Sequence, residues 1–264
     1  MTAIAAVPRQ RLVVSSLGLK LAAGLVLLTV WEIGVRLWAP AYVARPSGIV
    51  MVLAPVLTSA RFSGAAWATL SAVIEGLVIA LVVGIAVGIA MGRSFLADRL
   101  IRYYVFALFA MPMVAILPLI TLWLGYTDAA RLATVVFAAL FSIALNAADG
   151  ARAVPNEYLE VAASFRASRA RVWFGVVLPA ALPYLLAGTR LAAARGLIGA
   201  VLAEFFISVD GLGTYILYNS RSFHHNEAMV GVLVLAGCGM GFEALVNWTT
   251  RRYLPWYRRD ETPR

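Results

Sequence analysis

The sequence predicts an all-α, polytopic membrane fold with six transmembrane helices and one long cytoplasmic loop. Two observations carry that expectation. Hydrophobic residues make up 62% of the 264 residues and charged residues only 13%, too few charges to cover a soluble domain of this length. The charges also cluster in short stretches between apolar runs of about 20 residues, the length a helix needs to cross the hydrocarbon core. Short segments of alternating polarity, the mark of a transmembrane β-barrel, are not found.

The six apolar runs are Leu17–Trp38, Trp67–Met91, Tyr103–Leu124, Ala129–Ala148, Leu182–Ile207 and Ala228–Trp248. Arg9, Arg11 and Lys20 precede the first as they would in a signal peptide, but its length and the five spans behind it favour an uncleaved helix. In the second, Gly84, Gly88 and Gly92 recur at four-residue spacing and predict close helix packing. The third carries no charge, and Pro112 and Pro118 are expected to kink it. Arg190, Arg195 and Glu204 interrupt the fifth.

Six spans leave both termini on one side. With the N-terminus inside, sixteen basic residues face the cytoplasm and five face out, a clear positive-inside bias. The same placement turns the net charge of +9 into an orientation signal. It makes lipid the expected partner of the basic residues and excludes nucleic acid. Cys238 is the only cysteine, which rules out an intramolecular disulfide and a cysteine metal cluster. His224-His225, with Glu227 and Asp210, offer no i, i+4 ligand pair, so a solvated outer loop is expected there and no metal site.

The longest connection, residues 149–181, falls on the cytoplasmic side and reads as two short helices. Pro155-Asn156 opens the first, with Glu157 and Glu160 in its opening turns, where the helix dipole favours carboxylates. Tyr158, Ala162 and Phe165 share one face. Ser168 can cap a second helix that runs through Val177 and ends at Leu178-Pro179.

The segment Glu157-Tyr-Leu-Glu-Val-Ala-Ala-Ser-Phe-Arg-Ala-Ser168, followed by Val176-Val-Leu-Pro179, resembles the EAA loop of binding-protein-dependent ABC importer permease subunits, the type I importer fold. That pattern has Glu-Ala-Ala, a glycine six residues after the Glu, an aliphatic residue at +16 and Leu-Pro at +18 and +19. Glu160, Ala162, Val176, Leu178 and Pro179 match it in residue and spacing, and Val161 is a mild departure. Arg166 is a larger one, since it stands where the pattern has the glycine of the bend. A non-glycine bend followed by a Ser168 cap is physically acceptable. The resemblance covers the chain from about Trp67 onward and includes Asn146, Gly150-Ala151-Arg152, Ala203-Glu204-Phe205 and Gly211-Leu212-Gly213. It is nearest to the permeases for nitrate, sulfonate and taurine.

The resemblance implies three regions. Residues 1–66 hold a cytoplasmic segment, the first helix and an external loop. Residues 67–250 form the importer transmembrane domain, and 251–264 a basic cytoplasmic tail. It further implies that the loop is a coupling helix on a cytoplasmic ATP-binding subunit, with Glu160, Ala162, Ala163, Arg166, Leu178 and Pro179 at or shaping the contact. A phosphate loop of the Gly-x-x-x-x-Gly-Lys-[Ser/Thr] type is missing from the sequence. ATP is therefore expected to act in the partner, with no cofactor and no catalytic residue in this chain. The remaining implied partners are a periplasmic or lipid-anchored binding protein and a second permease subunit, most simply another copy of this chain, in the bacterial inner membrane.

Charged and polar groups inside spans are functional candidates, which places Asn146, Arg195 and Glu204 on the expected translocation path. Arg195 and Glu204 lie nine residues apart, about 13 Å along a helix and half a turn around it, so they point to opposite faces. Arg195 can face an aqueous path or make a structural contact between helices, and Asn146 can line a pore or bond helices. Glu75 and Glu243 are expected to pack structurally. An ion-gradient-driven secondary transporter is the alternative function, but it leaves the long loop unexplained, and an internal repeat is not found. An intramembrane enzyme lacks its nucleophile elbow or zinc-binding helix.

Overall fold

The computed structural model describes residues 16–40 and 42–253. Arg9, Arg11, Arg258, Arg259 and Arg264, counted in the charge bias, lie outside the described residues. All regular structure among the described residues is helical: α1 (Ser16–Trp38), α2 (Pro46–Leu57), α3 (Ala60–Arg93), α4 (Phe95–Ala110), α5 (Met113–Leu124), α6 (Asp128–Arg152), α7 (Asn156–Ser164), α8 (Arg169–Val172), α9 (Leu178–Ile207), α10 (Leu212–Arg221) and α11 (His225–Tyr253). Among them, α1, α3, α6, α9 and α11 are long and apolar enough to cross a membrane singly. Helices α4 and α5 make a sixth span only as a pair bent by 102°. The all-α, polytopic expectation holds.

The centre of the molecule is α6, held between α3 and α9. Small side chains make this possible. Ala80, Ala139, Ile143 and Ala192 form one buried layer, and Val73, Val135 and Ala200 form another. The glycine row of α3 lies along α6: a Cβ on Gly88 would overlap the Ala144 carbonyl oxygen, and one on Gly92 would sit 2.7 Å from that of Ala148. The packing expected of this row is therefore found inside the subunit. Lipid is as apolar as leucine, so close backbone approach and dispersion hold such a bundle together.

Four expectations need correction. The third run is a broken span. Pro112 has no N–H to donate and drives Met111 out of the helical region, where it sits at φ −65°, ψ 131°. The expected kink is thus a complete break, while Pro118 is accommodated inside α5. Second, the stretch before Trp67 is helical. Pro46 opens α2 and Ser59 caps α3 by accepting the Phe62 N–H at 3.3 Å. Helix α2 is tied back to α1, because the Glu32 carboxylate accepts the Ser47 N–H at 3.0 Å. It is tied forward to α11, where Asn226 Oδ1 accepts the Arg45 N–H at 3.2 Å. Third, Leu178-Pro179 does not end the second loop helix. A π-helical turn, Trp173–Val177, joins α8 to α9, closed by the Leu178 N–H on the Trp173 carbonyl, so Ala170–Ile207 runs as one rod. Pro179 accounts for the turn: its ring excludes the normal partner carbonyl four residues back, at Gly175, and the helix widens to clear it. Fourth, the outer loop contains α10, and His225 packs between Tyr42 and Phe223 at its edge.

Candidate functional site

Two places on this scaffold combine accessible chemistry with a defined geometry. One is the hairpin of α7 and α8 at one end of the bundle, and the other is a cavity at the α4–α5 break.

Pro155 and Asn156 start α7, as the sequence suggests. Its end is a tight helix stop built on Arg166. The Arg166 N–H reaches the Ala163 carbonyl at 2.8 Å and the Ala167 N–H reaches that of Ala162 at 2.9 Å. These are the two bonds of a Schellman turn, whose first residue beyond the cap takes the left-handed conformation. Arg166 takes it, at φ 49°. The bend geometry is thus that of a glycine stop, with arginine bearing the backbone strain. Ser168 then caps α8, its Oγ accepting the Arg171 N–H at 3.4 Å.

Along α7, Tyr158, Val161 and Phe165 are exposed, Phe165 by 82%. Tyr158, Val161 and Ala162 form one wall of an open groove whose other wall is Gly175, Val176, Pro179 and Ala180. Glu160 and Ala163 are exposed, and the Glu160 carboxylate has no partner among the described residues. Leu178 is half-buried where the rod begins. An uncovered apolar face is the mark of an interaction surface, and the solvated Glu160 carboxylate stands at its edge. Just above the hairpin, Arg152 joins Asp98 and the Met91 carbonyl, and Arg102 reaches Asp98 at 2.7 Å. This clamps the ends of α3, α4 and α6 together. On the rod, Arg190 pairs with Glu243 of α11 at 3.2 Å, which gives Glu243 the structural role expected of it.

The cavity encloses about 380 Å³ and is lined by Phe109, Met111, Met113, Phe137, Phe141 and Arg195, among others. Because Pro112 breaks the chain, the last carbonyls of α4 lose their helical partners. Arg195 supplies one, its Nη1 donating to the Phe109 carbonyl at 3.3 Å while the guanidinium lies 3.9 Å from the centre of the Phe109 ring. Among the described residues Arg195 has no carboxylate partner.

The other two polar candidates sit differently. Asn146 is half-buried at the α6–α9 seam, bonded to the Ser142 carbonyl at 2.8 Å and pressed against Gly188. Glu204 is fully buried. It accepts the Thr69 hydroxyl at 2.7 Å and the Gly213 N–H at 2.7 Å, and lies 3.5 Å from Arg131. Gly211 is required beside it, since any Cβ there would overlap the carboxylate. Glu204 therefore fastens α3, α6, α9 and the start of α10 at the end opposite the hairpin, and opens onto no path. Arg131, one of the five basic residues counted as facing out, is the partner that sequence reasoning missed. It is 7% exposed, bonded to Asp128 at 2.7 Å and to the Asp210 carbonyl at 2.6 Å. Its spacing of three from Asp128 signals that local pair but not the contact with Glu204.

The chain is helical and multi-pass, with an uncovered hairpin between its fourth and fifth spans. The chain belongs to the family of binding-protein-dependent transport system inner membrane components, which it matches over residues 80–259. It is 34% identical over 242 residues to the riboflavin transport system permease protein RibX of Chloroflexus aurantiacus, covering 88% of this chain and 87% of that protein. The taurine transport system permease protein TauC of Escherichia coli is 30% identical over 243 residues, with 88% and 87% covered. The formylaminopyrimidine transport permease protein ThiX of Halalkalibacterium halodurans is 26% identical over 237 residues, with 89% and 94% covered. The fold is that of a chain in the inward-facing MetNI methionine ABC transporter, with a TM-score of 0.56 at 16% identity over 78% of this chain and 94% of that one.

Proposed function

We propose that this permease subunit forms, as a pair of copies, the translocation path of an ATP-driven importer for a small polar or anionic solute. An external binding protein delivers the solute, and a cytoplasmic ATPase drives its passage. The observation that carries this reading is the α7 face, where an unpaired Glu160 stands beside an exposed apolar groove at the foot of a helix that runs on through the membrane. A partner seated in that groove moves the hairpin, and the rod from Ala170 to Ile207 carries the motion as a rigid body over about 57 Å. Ala162 and Ala163 allow close approach. The relatives named for taurine and sulfonates support a cargo that bears an anionic group, and those named for riboflavin and formylaminopyrimidine support an uncharged polar one. The family assignment favours ATP drive over an ion gradient. Of the three polar candidates, Arg195 keeps its place on the path, since Glu204 is enclosed and Asn146 is held at a helix seam.

In vesicles holding the permease with its ATPase and supplied with its binding protein, Glu160→Lys is expected to abolish ATP-dependent uptake while the protein still inserts. Uptake at the wild-type rate would remove the hairpin from the coupling role.

A further inference from the structure

A guanidinium within a membrane-spanning helix is expensive unless something compensates it. Arg195 has partial compensation only. One carbonyl at 3.3 Å and one aromatic face at 3.9 Å occupy a group that carries five N–H donors. Arg195 is also one of the residues lining the cavity at the α4–α5 break, so the donors these contacts leave over are within reach of a solute there.

The remaining walls have a different character. Phe137 and Phe141 meet edge to face at 5.1 Å, and Met111 and Met113 add long, polarisable side chains that adapt to an irregular outline. The cavity's 380 Å³ falls within the roughly 300–1,000 Å³ of small-molecule sites. Met113 is also the first residue of α5, so the positive end of that helix opens on the same space and adds to the field of Arg195.

We infer that this cavity is an intramembrane selectivity site for a solute carrying an anionic group on a flat or apolar body. The anion meets Arg195 and the body lies among Phe109, Phe137 and Phe141. Stacking of Phe109 under the guanidinium holds the planar donor fork in place, so little freedom is lost when an oxyanion arrives. The inference rests on the proposed transport reading but concerns binding alone, which separates the two experimentally.

The test uses the full-length chain in lipid nanodiscs, with Cys238→Ser and a single reporter at Met113→Cys, modified by a thiol-reactive methanethiosulfonate. A second reporter at another lining residue, Ala138→Cys, serves if the first misfolds. Benzenesulfonate is expected to slow labelling, while benzamide, of similar shape but neutral, and inorganic sulfate, an anion without the apolar body, slow it much less. Arg195→Gln is expected to weaken the benzenesulfonate protection about tenfold or more, the loss of one charge-assisted hydrogen bond, and Arg195→Lys to keep part of it. Equal protection by benzamide would reduce the site to an apolar cavity, and equal protection by sulfate would remove the aromatic walls from it. Protection that survives Arg195→Gln would overturn the proposal. None of these readings needs ATP or the ATPase, so failure here leaves the Glu160 coupling test standing, and the reverse holds too.

Discussion

Arg166 shows how a motif can survive the loss of its defining residue. Its φ of 49° is a conformation that costs an ordinary L-residue about 1–2 kcal/mol and glycine nothing. Two backbone bonds nevertheless hold it there. Arg166→Gly is expected to keep the stop, and Arg166→Val to loosen it by a similar 1–2 kcal/mol, because branching at Cβ worsens the clash. Amide exchange at Ala167, whose N–H bonds the Ala162 carbonyl, reads that directly: faster in the valine variant, unchanged or slower in the glycine one. Glu204 is the opposite case, a residue whose role lies in its surroundings. Glu204→Ala leaves the buried Gly213 N–H without its acceptor and removes the carboxylate that Thr69 and Arg131 meet. It is expected to cost about 1–3 kcal/mol, with Glu204→Gln costing less because the amide oxygen still accepts from Thr69 or Gly213. Thermal unfolding in detergent would show the ranking, and equal midpoints for the two variants would refute it. The loop around Glu160 and Arg166 was legible as a family signature because the pattern is carried by spacing within twenty residues. Glu204 and Arg131 were not, since their contact joins positions 73 residues apart that only the fold brings together.

Helices were readable where hydropathy alone sets them and misread where a single backbone constraint intervenes. The run Tyr103–Leu124 is uniformly apolar, and no hydropathy measure could divide it. The division comes from one absent N–H at Pro112 and the conformation imposed on Met111. Helix α2 escaped because twelve residues are too few to read as a span, although Pro46 at its first position and the apolar run behind it were signals. The α3 glycine row was read correctly as packing, and it carries its own prediction. Gly88→Leu is expected to destabilise the α3–α6 contact by at least about 1–3 kcal/mol, since the Ala144 backbone cannot yield as a side chain would. Melting of the full chain in detergent should fall accordingly, whereas Gly24→Leu on α1, with open space around its backbone, should leave it unchanged.

The whole molecule is a tight three-helix centre with loosely attached outer spans. The most apolar window of α1 has no buried residue, and beyond the Trp31 edge of one outer cluster its surface is left for lipid or a second subunit. The charge bias predicts a cytoplasmic hairpin. In inverted vesicles, Phe165→Cys in a Cys238→Ser background should react with an impermeant thiol reagent, and in right-side-out vesicles it should not. The reverse pattern would invert the topology. The π-helical turn at Trp173–Val177 then has a consequence at this scale. Such a turn amounts to one extra residue in a helix, and one residue is worth about 100° of rotation. The angular position of the hairpin around the rod, relative to Arg195 and Glu204 further along it, is therefore set by that single residue. Deleting one residue there would turn the hairpin by about a quarter of a turn around the rod axis and so part the α7 face from Gly175, Val176, Pro179 and Ala180, the groove wall that stands on the rod itself.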